Sequence, residues 1–281
     1  MFRRALLPLL LIALAACNQA TPPTETPAAS ATASMPASVD EPAASGTTTA
    51  PAAASTTAID PLAAAAADEA LAEASTDGLI EGRDYALVKD PEPWKPLNGK
   101  IEVVEVFGYV CPACAAFDPL VTAWKARLPA DVRFNYVPAP FGPEWNPYAK
   151  AFYVAESLNL VDKSHSELIK QIHVTQAMPG EGDKPDEQKI ADFYGKYGAN
   201  PKEFLSTMNS FSVSGQVNRG RNFMMKTGAN STPTLIVNGK YRVTGNNFED
   251  ILRIASGLIA RERAAAAGTA PAAASTTATK G

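Results

Sequence analysis

Large apolar residues are concentrated in the middle of the chain, between about 79 and 263, where they recur with the periods of secondary structure. The segment 101–107 (IEVVEVF), entered through Asn98-Gly99 and rich in β-branched residues, predicts a buried strand, and 85–88 a weaker one. Cys114, Phe117, Val121, Trp124 and Leu128 follow at intervals of three and four, the buried stripe of a helix over 112–128. Pro119 lies inside it and removes a backbone donor, so a kink is expected there. The alternating stretch 132–137 (VRFNYV) predicts the next strand. Strand, helix, strand with these connections makes a right-handed βαβ unit with a parallel pair. From about 147 to 228 helical periodicity takes over, near 148–159, 163–175, 187–197, 201–208 and 214–227, punctuated by Gly, Pro and Asn. Strand patterns return at 234–237 and 241–244, joined by the hairpin signal Asn238-Gly239, and a helix from about 248 to 263 closes the domain.

Composition changes the picture at the ends. The flanks are Ala, Thr, Ser and Pro with few large apolar residues, so they bury too little surface to offset chain entropy. Residues 17–78 are accordingly read as a disordered tether, spanning about 40 Å r.m.s. as a coil, and 264–281 as a disordered tail. The Ala-rich stretch 62–74 predicts no more than a transient helix. The octapeptide PAAASTTA at 51–58 recurs at 271–278 through shared composition, not as a structural repeat. The folded part divides into 79–146, a helical insertion at 147–228, and 229–263.

The chain starts MFRRALLPLLLIALAAC, a basic pair followed by a short apolar run, which reads as a secretory signal over 1–16. It is shorter than the roughly 20 apolar residues a membrane span needs. Leu14-Ala15-Ala16-Cys17 resembles the bacterial lipobox, which makes Cys17 the lipidated first residue of the mature protein rather than a stray thiol; Asn18 behind it favours the outer membrane. Export places the remaining cysteines, Cys111 and Cys114, where disulfides form and persist. A net charge of −4 gives no basic face for nucleic acid.

Cys111-Pro112-Ala113-Cys114 admits three chemistries. A zinc site needs four ligands, and no second C-x-x-C or H-x₃₋₅-H is present. His165 and His173 lie in the helical block and read as ordinary helix residues, one or both facing solvent. A structural disulfide would close a very short loop, which stabilises least. Redox exchange fits the placement. Cys111 falls where strand meets helix, so the unpaired N–H groups of the first helical turn point towards its sulfur and favour the thiolate. Pro112 suits the first helical position. A stabilised thiolate makes an easily reduced disulfide, and Cys114, one turn further in, is expected to be shielded and to act second. C-x-x-C beside a βαβ pattern signals thioredoxin-like chemistry.

EVVEVFGYVCPACAAFDP, the helical block after one βαβ unit, and STPTLIVNGKY together resemble the DsbA family of periplasmic thiol:disulfide oxidoreductases, over about 81–263. The resemblance implies an α/β thioredoxin fold with an inserted all-helical domain, in a lipoprotein form. It makes Cys111 the sulfur that exchanges with substrate and Cys114 the one that resolves the mixed disulfide, with Pro112 and Ala113 between them. It makes Pro233 a cis-proline beside the cysteines, with Thr232 offering backbone groups to an extended substrate chain. Glu105 interrupts the apolar strand on the side of Val103 and Phe107. From the residues alone it marks a strand face partly open to water; the family implies a buried acid that relays protons and tunes the thiolate. The implied partners are reduced or unfolded exported proteins and a DsbB-like, quinone-linked membrane oxidase, with no bound cofactor. Ala113 departs from the histidine of the best-studied family member, and a potential between thioredoxin and the strongest oxidants is expected.

Elsewhere, Trp145, Tyr148, Phe152 and Tyr153 read as core rather than substrate groove. Phe107, Tyr109 and Val110 suggest an apolar surface for unfolded chains, and Arg219, Arg221 and Lys226 a solvated helix face. No phosphate loop or dinucleotide fingerprint is present. A reductase or isomerase on the same fold, and a non-catalytic binding lipoprotein, remain open.

Overall fold

The computed structural model describes residues 60–76 and 78–268. The signal segment, Cys17, most of the tether and 269–281 lie outside the described residues. Strand β2 (Ile101–Phe107) is buried at all seven positions, as its β-branched composition requires of a central strand. It pairs in parallel with β3 (Val132–Pro138) and antiparallel with β4 (Thr234–Val237). β5 (Tyr241–Val243) and β1 (Tyr85–Leu87) extend the sheet, giving the order β1-β5-β4-β2-β3. The Asn238-Gly239 turn has positive φ at both residues, 51° and 63°, and Lys240 N–H closes it on Val237 O at 2.9 Å. Glycine is needed there twice over, because a Cβ on Gly239 would meet Glu92 O at 2.0 Å.

Helix α2 (Pro112–Lys125) crosses from β2 to β3 and continues through Pro119 as one element. One face of the sheet is covered by α2 and the closing helix α8 (Phe248–Gly268), around Val103, Phe117, Val121, Trp124, Leu235 and Leu258. The other face carries the insertion, α3 (Trp145–Ser157), α4 (Val161–His173), α5 (Glu187–Gly195), α6 (Pro201–Met208) and α7 (Phe211–Thr227), in an aromatic-rich core. Trp145, Tyr148, Phe152 and Tyr153 are all part of that core.

Two boundaries differ from expectation. Residues expected in the disordered tether form helix α1 (Pro61–Ala72), packed on α2 and α8 through Ala63, Ala67 and Ala70. Asp60 caps it, accepting from Leu62 N–H at 2.8 Å, and Pro61 starts it. Asp68 pairs with Arg127 of the segment after α2. A face of alanines buries little area per residue but allows close approach, so counting large apolar side chains missed it. At the other end α8 runs on through exposed alanines to Gly268, where high helix propensity suffices without burial. Among the described residues, no helix is long and apolar enough to cross a membrane.

Candidate active site at the start of helix α2

Cys111 is the N-cap of α2, with extended backbone (φ −78°, ψ 118°), so its side chain hangs over the first helical turn. Its sulfur accepts from Cys114 N–H at 3.4 Å, and its thiol reaches Thr232 O at 3.6 Å. The Thr232-Pro233 peptide is cis and brings that carbonyl across from β4. Both cysteines are free, so this is the dithiol form, and both are buried, at 6% and 2% exposure.

The two thiols differ sharply in ionisation. Hydrogen bonding from the Cys114 thiol, then from Thr232 and the N–H groups of Cys114 and Ala113, outweighs desolvation and holds Cys111 down to about 6. Cys114 moves strongly the other way: it donates to Cys111, is buried, and would be repelled by Glu105 if both were ionised. Gly108 N–H, 3.5 Å from the Cys114 sulfur, only partly opposes this. Gly108 also admits the Trp145 ring, which a Cβ there would strike at 2.0 Å.

Glu105 is 3% exposed, and its Oε2 is buried without a hydrogen-bond partner among the described residues. The water-facing reading of its strand is therefore wrong. Burial, and then the nearby Asp118, push its carboxyl well above the usual range, with Lys125 opposing. Asp118 is itself raised by burial, although it accepts from Ser166 at 3.1 Å and Thr122 at 3.3 Å.

His165 is not a solvent-facing helix residue, whereas His173 keeps part of its surface open. His165 is buried, stacked on Tyr136 at 4.2 Å, with Nδ1 3.2 Å from Tyr109 OH; burial, and then Lys125, lower it to about 3, so the ring is neutral. Half-buried His173 places Nε2 2.8 Å from Tyr109 O, which requires that nitrogen to carry the proton. Phe107, Tyr109 and Val110, expected as an apolar surface, are at most 1% exposed, because the insertion closes over them. Arg219, Arg221 and Lys226 are exposed as expected, although Arg219 also lies over the Trp94 ring at 3.7 Å.

Asp118 and His165 escaped the reading of the sequence as site residues, and Tyr109 reads there as apolar surface rather than as the partner of His165 and His173. Asp118 had a signal: it sits four residues after Cys114, between Phe117 and Val121 on the buried stripe. The histidines had none, since their partners are about 55 residues or more away in the chain. Among the described residues, no three His, Cys, Asp or Glu side chains cluster as a metal site would need.

Residues 97–255 match the thioredoxin family described as Thioredoxin_4. The thiol:disulfide interchange protein DsbA of Pseudomonas aeruginosa is 38% identical over 196 residues, 69% of this chain and 90% of that protein. Its counterpart in Pseudomonas syringae pv. tomato is 34% identical over 195 residues, 68% of this chain and 88% of that protein. The crystal structure of the oxidoreductase DsbA from Xylella fastidiosa superposes with a TM-score of 0.63 at 44% identity, covering 66% of this chain and 98% of that one. A C-x-x-C at the head of α2, a cis-proline opposite it, a helical insertion in a thioredoxin sheet and these relatives lead to one conclusion: the chain belongs to the DsbA family of thiol:disulfide oxidoreductases.

Proposed function

We propose that the protein introduces disulfide bonds into exported proteins by exchange through Cys111. The observation that carries this is the asymmetry of the pair, with Cys111 held near 6 while Cys114 is kept protonated. In the oxidised enzyme a substrate thiolate attacks the Cys111 sulfur. The Cys111–Cys114 bond breaks, and its electron pair leaves on Cys114, which takes up a proton. A second substrate thiolate then attacks the substrate sulfur of the mixed disulfide, and Cys111 departs as a thiolate. Two substrate thiols become one disulfide; the two electrons stay on the enzyme pair, one proton on Cys114 and one in solvent.

Thr232 is the strand-like partner of the substrate backbone, with Pro233, Pro112 and Ala113 shaping the approach to the sulfur. Buried Glu105 exchanges the proton that Cys114 gains and loses. A DsbB-like, quinone-linked membrane oxidase reoxidises the pair, and the enzyme works in the periplasm, tethered through lipidated Cys17. That tether is tested by fractionation: C17A should leave the membrane, and unchanged partition would exclude lipidation.

Equilibration of the pair against glutathione tests direction. A potential well above thioredoxin's roughly −270 mV supports an oxidant despite Ala113. A value at or below it makes the protein a reductase.

A further inference from the structure

Between β2 and α2 the chain makes a tight turn in which Gly108 O accepts from Cys111 N–H at 3.1 Å and Gly108 N–H lies 3.5 Å from the Cys114 sulfur. Tyr109 follows Gly108 in that turn, and helix α4 of the insertion holds it at two points. His165 Nδ1 lies 3.2 Å from its hydroxyl, and His173 Nε2 donates to its carbonyl at 2.8 Å. We infer that His173 is a positioning residue for the exchange reaction: by holding the Tyr109 carbonyl it keeps the active-site turn in the form that favours a thiolate on Cys111. The inference rests on Cys111 being the exchanging sulfur, and it adds a residue of the insertion to the groups that prepare that sulfur.

Three observations carry it. First, the imidazole comes from a fixed element. His173 closes α4, whose Leu168, Ile169 and Ile172 are buried in the aromatic-rich core, so the donor is aimed by packing and not by a free loop. Second, the bond acts on charge as well as on shape. Tyr109 is 1% exposed and lies two residues before Cys111, a stretch of chain that spans at most about 7 Å. Its carbonyl oxygen carries a partial negative charge that opposes a thiolate nearby, and a donor on that oxygen offsets it. The disulfide carries no charge, so the bond supports the reduced enzyme more than the oxidised one. Third, His173 stands beside the reacting centre. It lines an open groove of ≈ 540 Å³ together with Val110 and Pro112, the neighbours of Cys111 on either side.

The test compares the full-length protein with H173L, which fills the space without a donor, and H173Q, which keeps a side-chain N–H. Alkylation of Cys111 against pH gives the thiolate midpoint, and equilibration with glutathione gives the poise of the pair. H173L should cut the thiolate fraction at pH below the midpoint about fivefold, the scale of one net hydrogen bond, which raises the midpoint by about 0.7 in pH. It should also shift the glutathione equilibrium about fivefold towards the disulfide, making the enzyme a weaker oxidant. H173Q should stay within about twofold of the unaltered protein in both readouts. If H173L loses thermal stability but leaves midpoint and equilibrium unmoved, His173 is only structural and the inference is overturned. It is overturned equally if H173Q follows H173L, since the ring and not the hydrogen bond would then matter. Should H173L not fold, H173M, also without a donor, is read by the same criteria. An unaltered protein with no thiolate below about pH 8 refutes the reading of Cys111 itself, and that failure shows before any variant is compared.

Discussion

The first turn of α2 separates two environments that treat a negative charge oppositely. On its outer side, Cys111 is met by hydrogen-bond donors and the open end of a helix. On its inner side, Cys114 is buried in the aromatic-rich core, where ionisation would be opposed by Glu105. Three residues of chain therefore suffice to make one sulfur a good leaving group and the other a poor one. The difference comes from the hydrogen bond that Cys114 gives Cys111, from backbone donors and from burial. Ala113 takes part through its backbone N–H.

The largest effect should follow from removing the outer sulfur: C111S can form no Cys111–Cys114 disulfide for a substrate thiolate to attack, so exchange with any thiol substrate should fall to background. C114S has no internal disulfide for a substrate thiol to attack. Its Cys111 thiolate should attack an oxidised substrate or glutathione disulfide, release one thiolate and accumulate the unresolved mixed disulfide, visible by mass. Equal loss in the two variants, with no trapped adduct, would break the division of labour.

Next comes the pH dependence of stability. Cys111 in the folded, reduced protein sits near 6, below an unfolded thiol at about 8.5. Its thiolate therefore stabilises the reduced form fully only above the unfolded value, and that contribution is lost as pH falls through 6. Thermal unfolding of reduced against oxidised protein should show a gap in favour of the reduced form that grows from pH 6 to pH 9.

Glu105 has the opposite sign. Its folded pKa is raised, so the acid is tolerated below its unfolded pKa near 4.3 and costs stability as pH rises above it. E105L should raise stability at pH 7 by about 1–3 kcal/mol, the usual penalty of an unsatisfied buried polar group, and by less at pH 4. Substitutions in α1, which packs on α2 and α8, should change stability without touching the thiols. A67L overpacks a fully buried position and should cost about 1–3 kcal/mol without moving the Cys111 titration. D68A removes only an exposed ion pair and should stay within about 1 kcal/mol.

Legibility in the sequence followed the range of the interactions. β2 and β4 match their expected bounds to the residue, because β-branched runs and an Asn-Gly turn are local signals. Cys111 at the N-cap and Pro112 at the first helical position were equally local. α1 was hidden because its contact with α2 and α8 is made by Ala63, Ala67 and Ala70, which a count of large apolar residues passes over, although Asp60-Pro61 did spell a helix start. The surroundings of Cys114 were hidden for a different reason. His165 and His173 reach Tyr109 across the insertion, and no spacing within α4 reveals what a helix will meet.

The asymmetry itself is tested most directly by titrating the reduced protein between pH 4 and 10, following thiolate absorbance at 240 nm and the alkylation rate of Cys111. One thiolate should appear with a midpoint near 6, with the second thiol unionised across that range. Two thiols ionising together near the ordinary 8.5 would contradict it.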